Sequence, residues 1–344
     1  MNPSDTGSAG APLARPFAPT SPPAEGDSAA MQDLLQQLSK AVVGQPQVLQ
    51  QTLVALAASG HVLIEGVPGL GKTLLVRALA KALQLSHARI QFTPDMMPSD
   101  ITGHVVLAGA ADGGVGQLVV RHGPVFTQLL LADEINRAPA KTQAALLEVM
   151  QEQQVTLEGR TLPLPRPFMV LATQNPLDTE GTYPLPEAQL DRFLFKLRID
   201  YPKSADEVSI VERATHRQAG DRLPLDDVHA LMDDSQLLAL QAAVAAVHVD
   251  SRVVDFAVRL ARTTRGFSGL ANGAGTRGAI ALVRAARAAA HLDGRDFATP
   301  DDVKRFVLPA LRHRVMLAPD AQLEGRDIDA LLQDVVDSVE APRL

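Results

Sequence analysis

The chain begins with a segment that has no hydrophobic periodicity. Residues 1–29 contain six prolines, three glycines and four serines. A segment of this composition cannot bury enough apolar surface to offset the entropy that ordering would cost, so we expect a disordered tail over 1–29. The segment also lacks the apolar core of a secretory signal, so the pattern gives no indication of export.

Short apolar runs and amphipathic segments alternate from there to about residue 202. Apolar residues at helical spacing begin at Met31, and a second helix is predicted from Pro46. Strands are expected at 61–65, 88–92, 128–132 and 168–174, with helices at 72–83 and 140–153. Alternation of this kind predicts a parallel sheet with helices on both faces, and we assign this α/β domain to residues 30–202.

The remaining residues, 203–344, predict an all-helical domain. Helical periodicity, with no further strands, covers 204–219, 235–246, 251–265, 277–292, 300–311 and 326–338. The fifth helix has a clear start, because Thr299 is a good N-cap and Pro300 suits the first turn. We therefore place the domain boundary near residues 200–204.

The clearest motif follows the predicted strand at 61–65. Residues 66–73 have the sequence Gly-Val-Pro-Gly-Leu-Gly-Lys-Thr, which matches the phosphate-binding loop pattern of Gly, four residues, Gly-Lys-Ser/Thr. Glycines let backbone N–H groups turn toward phosphate oxygens, and the next helix directs the positive end of its dipole at the same charge. We expect Lys72 to reach the β- and γ-phosphates and the Thr73 hydroxyl to bind Mg²⁺. The predicted nucleotide contacts are Gly66, Pro68, Gly69, Leu70, Gly71, Lys72, Thr73 and Leu74.

Polar residues follow the last two predicted strands of the sheet. Asp133 and Glu134 follow four apolar residues, at the edge of the sheet where the phosphate loop also opens. Neighbouring acids on a strand point to opposite faces, so we assign Mg²⁺ to Asp133 and the polarisation of an attacking water to Glu134. Asn175, after the strand at 168–174, is the candidate to hold that water or to touch the γ-phosphate. Together these residues predict Mg²⁺-dependent hydrolysis of a nucleoside triphosphate.

Composition narrows the class of protein. The net charge is −7, from 39 acidic and 32 basic residues, which argues against a sequence-independent nucleic-acid coat. No apolar run approaches the roughly 20 residues that a membrane helix needs. The absence of cysteine excludes disulfides and thiol catalysis, so we expect a cytoplasmic protein. The histidines lack metal-ligand spacing, and we expect them to be satisfied core or surface side chains.

Taken together, these motifs resemble those of AAA+ ATPases and, more narrowly, those of the MoxR family. The similarity extends from Val42 to about Met316 and includes the phosphate loop and the acidic pair. The other segments that carry it are Val43-Gly44-Gln45, Thr93-Pro94-Asp95, 98–103, 123–126, 133–137, 172–176 and 187–193.

This resemblance implies roles that spacing alone does not assign. Val43 and Gly44 would flank the adenine, and Asn175 would be the sensor-1 residue. Arg192 would be the arginine finger, which enters the site of the neighbouring subunit. An ion pair within the chain, from Arg192 to Asp191 or Glu187, is the alternative for this residue, and Arg137 could also reach across a subunit boundary.

The resemblance also covers the lid and two insertions. Arg277 would be the sensor-2 arginine of a helical lid. The family usually has Ser-Pro-Arg-Ala there, whereas this chain has Thr276-Arg277-Gly278-Ala279, which predicts looser lid closure. Residues from about 101 to 126 resemble the helix-2 insert, and those from about 154 to 164 resemble the hairpin before sensor 1.

The resemblance implies a homo-oligomer, a hexameric ring, that uses ATP and Mg²⁺. Such a ring would act as a chaperone-like remodeller that matures client proteins together with a von Willebrand factor A-domain partner. One alternative is a magnesium-chelatase-type ATPase subunit, which shares the insert architecture. A second is a nucleic-acid motor, which the net charge and the lack of an aromatic in the hairpin near Glu158-Gly159-Arg160 disfavour.

Overall fold

The structure, a computed structural model, describes residues 25–67, 69–108, 117–176, 181–215 and 223–343. The strands are β1 (Val62–Glu65), β2 (His87–Gln91), β3 (Gly103–Ala108), β4 (Gln117–His122), β5 (Leu129–Asp133), β6 (Gln154–Leu157), β7 (Arg160–Pro163), β8 (Met169–Gln174), β9 (Phe195–Arg198), β10 (His248–Val249), β11 (Leu270–Asn272), β12 (Phe297–Ala298) and β13 (Met316–Leu317). The helices are α1 (Glu25–Ala41), α2 (Pro46–Ala57), α3 (Lys72–Ala82), α4 (Pro98–Thr102), α5 (Ala140–Glu152), α6 (Glu187–Leu190), α7 (Ser204–Thr215), α8 (Asp234–Ala246), α9 (Ser251–Thr263), α10 (Thr276–Leu292), α11 (Pro300–Arg305), α12 (Val307–Leu311), α13 (Pro319–Leu323) and α14 (Ile328–Ser338).

The central sheet has five parallel strands in the order β2-β5-β8-β1-β9. Successive side chains of a strand point to opposite faces. On β1, Val62 and Ile64 therefore enter one hydrophobic core, while Leu63 enters the other. Helices α1 to α3 and the helical domain after residue 202, here called the lid, cover the first face, and α4 and α5 cover the second. The predicted α/β class is confirmed.

Helix α1 begins earlier than the sequence indicates. It starts at Glu25, six residues before Met31, so residues 25–29 belong to a helix rather than to a tail. Propagation of a helix from a packed turn adds one hydrogen bond per residue, so an apolar face is not required there. The rest of the predicted tail, residues 1–24, lies outside the described residues.

Two antiparallel hairpins extend from the α/β layer. Strands β3 and β4 pair in the segment that resembles the helix-2 insert, and β6 pairs with β7 within 154–164.

The sequence analysis does not predict β9, the edge strand that pairs with β1. It is four residues long and alternates buried Phe195 and Leu197 with two basic residues, a pattern too short to be distinctive.

The lid is mostly helical, but the expectation that strands end at residue 202 is wrong. Two small ladders, β10 with β12 and β11 with β13, tie its loops together. The single helix predicted over 300–311 is divided at Phe306 into α11 and α12. Pro309 explains the division, because its nitrogen has no hydrogen to give to the carbonyl of Arg305.

None of the helices in the described part of the chain has the length and apolar character that crossing a membrane requires.

The lid shares a hydrophobic core with the α/β layer. Leu282 and Ala286 of α10 are completely buried in the same cluster as Met31 of α1 and Leu53 of α2. Arg284, also on α10, donates hydrogen bonds to the carbonyl oxygens of Ala58 and Ser59 after the end of α2. The lid therefore packs against the side of the sheet formed by α1 and α2.

His61, directly before β1, is a completely buried histidine at the amino edge of the sheet. Its Nε2 is 3.1 Å from the carbonyl oxygen of Met150, and its Nδ1 accepts a hydrogen bond from the N–H of Val170 at 3.0 Å. Burial lowers the pKa of His61 to about 4, and Arg284 acts in the same direction. This side chain is therefore a neutral, satisfied core histidine, as predicted.

This burial predicts that acid destabilises the fold through His61. The unfolded chain binds a proton there below about pH 6.5 and the folded chain only near pH 4, so the contribution of His61 to stability is lost as the pH falls through that window. Between pH 7.5 and pH 5, His61→Gln should lose about 2 kcal/mol less unfolding free energy than the wild type, by urea titration. The control His87→Gln, at an exposed histidine, should behave like the wild type. An equal loss in all three proteins would contradict this prediction.

Candidate active site

The loop between β1 and α3 lies at the carboxyl end of the sheet and needs its glycines for two reasons. Gly69 and Gly71 have φ angles of +88° and +80°, in the left-handed region that favours glycine. Gly66 is restricted by space instead, because a Cβ there would lie 2.7 Å from the carbonyl oxygen of Ile199. Gly71 is the N-cap of α3, so the positive end of that helix faces the loop. Pro68, also predicted to contact nucleotide, lies outside the described residues.

Lys72 lies across this loop. Its Nζ donates a hydrogen bond to the carbonyl oxygen of Gly66 at 2.6 Å. Burial lowers the pKa of Lys72, and the nearby carboxylates of Asp133 and Glu134 oppose that shift. The structure therefore brings the predicted lysine and the predicted acidic pair into one site.

The residues beside Lys72 would contact a nucleotide in different ways. Leu70 and Leu74 pack against the hydrophobic core, so their backbone N–H groups, rather than their side chains, are what they can offer. Thr73 is the second residue of α3 and adjoins Lys72. Its hydroxyl is therefore placed at the positive end of the helix, where phosphate oxygens are favoured.

Thr173 of β8 connects the two acids. Its hydroxyl donates a hydrogen bond to Asp133 Oδ1 at 2.5 Å and accepts one from the N–H of Glu134 at 2.9 Å. Arg89 Nη2 donates to the other oxygen of Asp133 at 2.7 Å. Sequence reasoning assigned no role to Thr173 or Arg89. The signal for Thr173 was its position two residues before Asn175, on the strand that pairs with β5.

The carboxylates of Glu134 and Asp133 are directed differently by a turn of the backbone, not by the alternation along one strand that the sequence predicts. The two acids do not alternate along one strand, because β5 ends at Asp133 and Glu134 has φ +58° and ψ +47°. A non-glycine residue held in this left-handed conformation costs roughly 1–3 kcal/mol, and such strain concentrates at functional sites. The turn separates the two carboxylates, and Glu134 Oε2 lies 3.0 Å from Arg137 Nε.

Asn175 lies at the same edge of the sheet. It directly follows β8, which lies between β5 and β1, and it is buried. Its position is therefore between the acidic pair and the phosphate loop, at the carboxyl ends of three adjacent strands.

Val43 and Gly44 lie near this edge, on the other side of β1. Gly44 has φ +77°, and a Cβ there would lie 2.8 Å from Cβ of Pro202, in the connection from β9 to α7. The side-chain amide of Gln45 donates to the carbonyl oxygen of Asp200 at 2.8 Å. These contacts place the predicted adenine-flanking residues beside the carboxyl end of β9.

The donors present suit a metal that arrives with a nucleotide. Across the described residues, no group of three or more histidine, cysteine, aspartate or glutamate side chains could hold a metal ion alone. The hydroxyl of Thr73 and the carboxylate of Asp133 are hard oxygen donors. Mg²⁺ is usually bound through one or two such groups, with waters and phosphate oxygens as its other ligands. The residues present therefore fit Mg²⁺.

Arg192 and Arg277 lie at the opposite edge of the sheet, the one formed by the amino ends of the strands. Both line a cavity of about 480 Å³ together with Ser59, Gly60 and His61. Those three residues precede β1, whereas the phosphate loop follows it. A strand of four residues spans about 13 Å. The structure therefore does not bring Arg192 or Arg277 to the phosphate loop of their own chain.

This cavity, here called the arginine cavity, is strongly basic. Four arginines line it, and Asp191 is the one acidic residue among its described lining residues; the four are Arg192, Arg277, Arg284 and Arg314. Asp191 lies 2.6 Å from Nε of Arg314 and 3.7 Å from Nη1 of Arg277. Four cations against one carboxylate leave an excess of positive charge in a chain whose net charge is −7.

Asp191 makes no ion pair with Arg192. Nη1 of Arg192 instead donates to the carbonyl oxygen of Leu147 at 2.5 Å. Nε of Arg192 is buried and has no hydrogen-bond partner among the described residues. The ion pair considered for Arg192 with Asp191 is therefore absent, because Arg314 and Arg277 take that carboxylate.

Comparison with known proteins identifies the family of the chain. A model described as "ATPase family associated with various cellular activities (AAA)" matches residues 61–195, and one described as "AAA lid domain" matches residues 262–335. Chaperone MoxR1 of Mycobacterium tuberculosis is 42% identical over 90% of this chain and 81% of its own. Protein MoxR of Methylorubrum extorquens is 32% identical over 89% of this chain and 93% of its own.

A solved structure shows the same fold. The structure of a proposed ATPase from Cytophaga hutchinsonii superposes with a TM-score of 0.84 at 37% identity, covering 92% of this chain and 96% of that one. The sheet, the lid and the similarity along nine-tenths of the sequence lead to one conclusion: the chain belongs to the MoxR family of AAA+ ATPases.

Proposed function

We propose that this protein hydrolyses ATP to ADP and phosphate with Mg²⁺, and that a second copy of the chain completes each active site. The observation that carries the proposal is the division of the predicted machinery between two edges of one sheet. The phosphate loop and Asp133 lie at the carboxyl edge, and Arg192 lies at the amino edge. Each chain therefore contributes a phosphate loop and Asp133 to one active site and Arg192 to a different one.

At the carboxyl edge, each side chain has a distinct task. The backbone N–H groups of the loop and the ammonium of Lys72 bind the phosphates, and Thr73 and Asp133 would hold Mg²⁺. When bound, Mg²⁺ neutralises charge on the β- and γ-phosphate oxygens. Glu134 accepts a hydrogen bond from the attacking water and polarises it, and Asn175 orients that water toward the γ-phosphate.

The arginine cavity would receive the nucleotide of a neighbouring copy. Negative charge on the transferring phosphoryl group calls for preorganised cations. Arg192 and Arg277 carry the positive charge that this task needs, and both lie away from the phosphate loop of their own chain. Contact between the carboxyl edge of one copy and the amino edge of the next is head-to-tail, and such contacts form a ring when the rotation closes. We propose a hexamer.

The proposed biological role is remodelling of client proteins. It is supported by the resemblance to the MoxR family and by the name of the relative Chaperone MoxR1. A von Willebrand factor A-domain protein is the proposed partner. Such a partner should co-sediment with the assembled ring and change its rate of ATP hydrolysis, and a protein that does neither is not the partner.

Glu134→Gln should retain ATP binding and lose turnover. The amide keeps the shape of the side chain but polarises water poorly, and loss of general-base assistance typically lowers the rate about 10²- to 10⁴-fold. ATP affinity by calorimetry and steady-state hydrolysis check the two halves of this statement. Lys72→Ala is the control that should lose binding itself. Normal turnover by Glu134→Gln would remove this residue from the mechanism.

Two inactive variants should restore activity when mixed. Arg192→Ala has an intact phosphate loop, and Lys72→Ala has an intact finger, so a mixed ring contains sites with both. Arg192→Ala alone should be nearly inactive, because an arginine supplied in trans is worth roughly 10³- to 10⁵-fold in other phosphoryl-transfer enzymes. Lys72→Ala alone should be nearly inactive because it loses ATP binding. Hydrolysis by the mixture, with subunit exchange verified by sedimentation, is the measurement. Mixed rings without recovered hydrolysis would show that Arg192 does not act in trans.

A further inference from the structure

The lid holds the main chain around Arg192 through one strongly bonded arginine. Arg314 follows α12 and donates from all three guanidinium nitrogens. Nε bonds to Oδ1 of Asp191 at 2.6 Å, and Nη2 bonds to the carbonyl oxygens of Asp191 at 3.1 Å and Phe193 at 2.7 Å. Nη1 bonds to the carbonyl oxygen of Leu194 at 3.2 Å and to that of Ala310. These bonds anchor the chain on both sides of Arg192.

The two residues before Arg314 bind the same stretch, residues 191–196, here called the finger segment. Nε2 of His313 lies 3.1 Å from the carbonyl oxygen of Phe193, and Nη1 of Arg312 donates to that of Lys196 at 3.1 Å. Three consecutive lid side chains therefore contact backbone carbonyls of a segment more than a hundred residues earlier in the chain. The finger segment is attached to the lid as well as to the sheet.

The burial of Arg314 favours a positioning role over a direct one. Its side chain is 4% exposed, whereas that of Arg277, also bound to Asp191, is 54% exposed. A buried guanidinium that has all of its nitrogens bonded has no donor left for an incoming phosphate. Its stability depends on those fixed acceptors, because removal from water is costly unless every donor is satisfied. Arg314 therefore contributes rigidity to the finger segment.

The side chain of Arg192 needs such support. It has one hydrogen bond, from Nη1 to the carbonyl of Leu147, and its Nε has no partner in the described part of the chain. A guanidinium held so lightly is directed mainly by the backbone from which it projects. Misplacement of a catalytic group by about 1 Å can cost roughly 10²-fold in rate.

We propose that Arg314 is a positioning residue for Arg192: it fixes the finger segment to the lid, so that the orientation of the lid sets the position of the finger that reaches the neighbouring copy. This inference rests on the proposed trans function of Arg192. Asp191, the residue directly before Arg192, belongs to the same network, because its carboxylate pairs with the buried Arg314 at 2.6 Å and with the exposed Arg277 at 3.7 Å.

The test is a variant that should impair the arginine finger it offers to the neighbouring copy and leave its own phosphate loop intact. Arg314→Met should bind ATP with wild-type affinity, because the phosphate loop is at the other edge, and should turn it over about 10²-fold more slowly. Mixed with Lys72→Ala, which supplies an intact finger, it should regain hydrolysis. Mixed with Arg192→Ala, which supplies none, it should not.

Two further variants separate positioning from general loss of structure. Asp191→Asn removes the charge that binds Arg314 but keeps the size of the side chain, and it should show the same mixing pattern with a smaller defect even if Arg314→Met fails to fold. Arg295→Met removes another well-bonded lid arginine, which pairs with Asp302 at 2.7 Å. It should lower the melting temperature and leave turnover per folded ring unchanged.

The outcomes distinguish this inference from the proposed function beneath it. If Lys72→Ala with Arg192→Ala recovers hydrolysis but neither Arg314→Met nor Asp191→Asn does so with Lys72→Ala, the positioning role is wrong. It is also wrong if both variants hydrolyse ATP at the wild-type rate on their own. A failure of the Lys72→Ala and Arg192→Ala mixture itself, in rings shown to be mixed, would overturn the trans function instead.

Discussion

The direction of one short strand determines how the rest of this molecule can work. Because β1 runs from His61 at one edge of the parallel sheet to Gly66 at the other, everything attached to its two ends is separated by the length of the strand, about 13 Å. The phosphate loop takes the carboxyl end, where helix dipoles and loops favour anions. The arginine cavity takes the amino end. No rotamer change within one chain closes this gap, and the proposed need for a second copy follows from it.

The lid makes the amino edge basic. Arg277, Arg284 and Arg314 all come from lid residues, and only Arg192 comes from the α/β layer. The core that α10 shares with α1 and α2 fixes this arrangement, since the apolar contacts hold the helix while its arginines point along the edge. Like charges this close repel one another, so the approach of an anion is favourable there. The cavity is therefore consistent with an acceptor of phosphate groups.

The local parts of this architecture could be predicted from the sequence, and the long-range parts could not. The phosphate loop and the strands beside it follow from buried apolar runs and a glycine pattern, whose causes lie within a few residues. The strand β9 and the small lid ladders are too short to show periodicity. The left-handed turn at Glu134 leaves no mark in the sequence, and its partner Thr173 is 39 residues away. Arg314 meets Asp191 across 123 residues, a contact that no local pattern encodes.

The central claim, that one chain holds half of each site, is tested most directly by dilution. ATP hydrolysis per chain should be measured over a wide range of protein concentration, with assembly followed by sedimentation and ATP binding followed in parallel. The account predicts that hydrolysis per chain falls with the fraction of assembled chains, by roughly 10³-fold or more when monomers dominate, because each site then lacks its arginine. ATP binding by the monomer should persist, since the phosphate loop belongs to a single chain. A dilute monomer that hydrolyses ATP at the full rate would contradict the account.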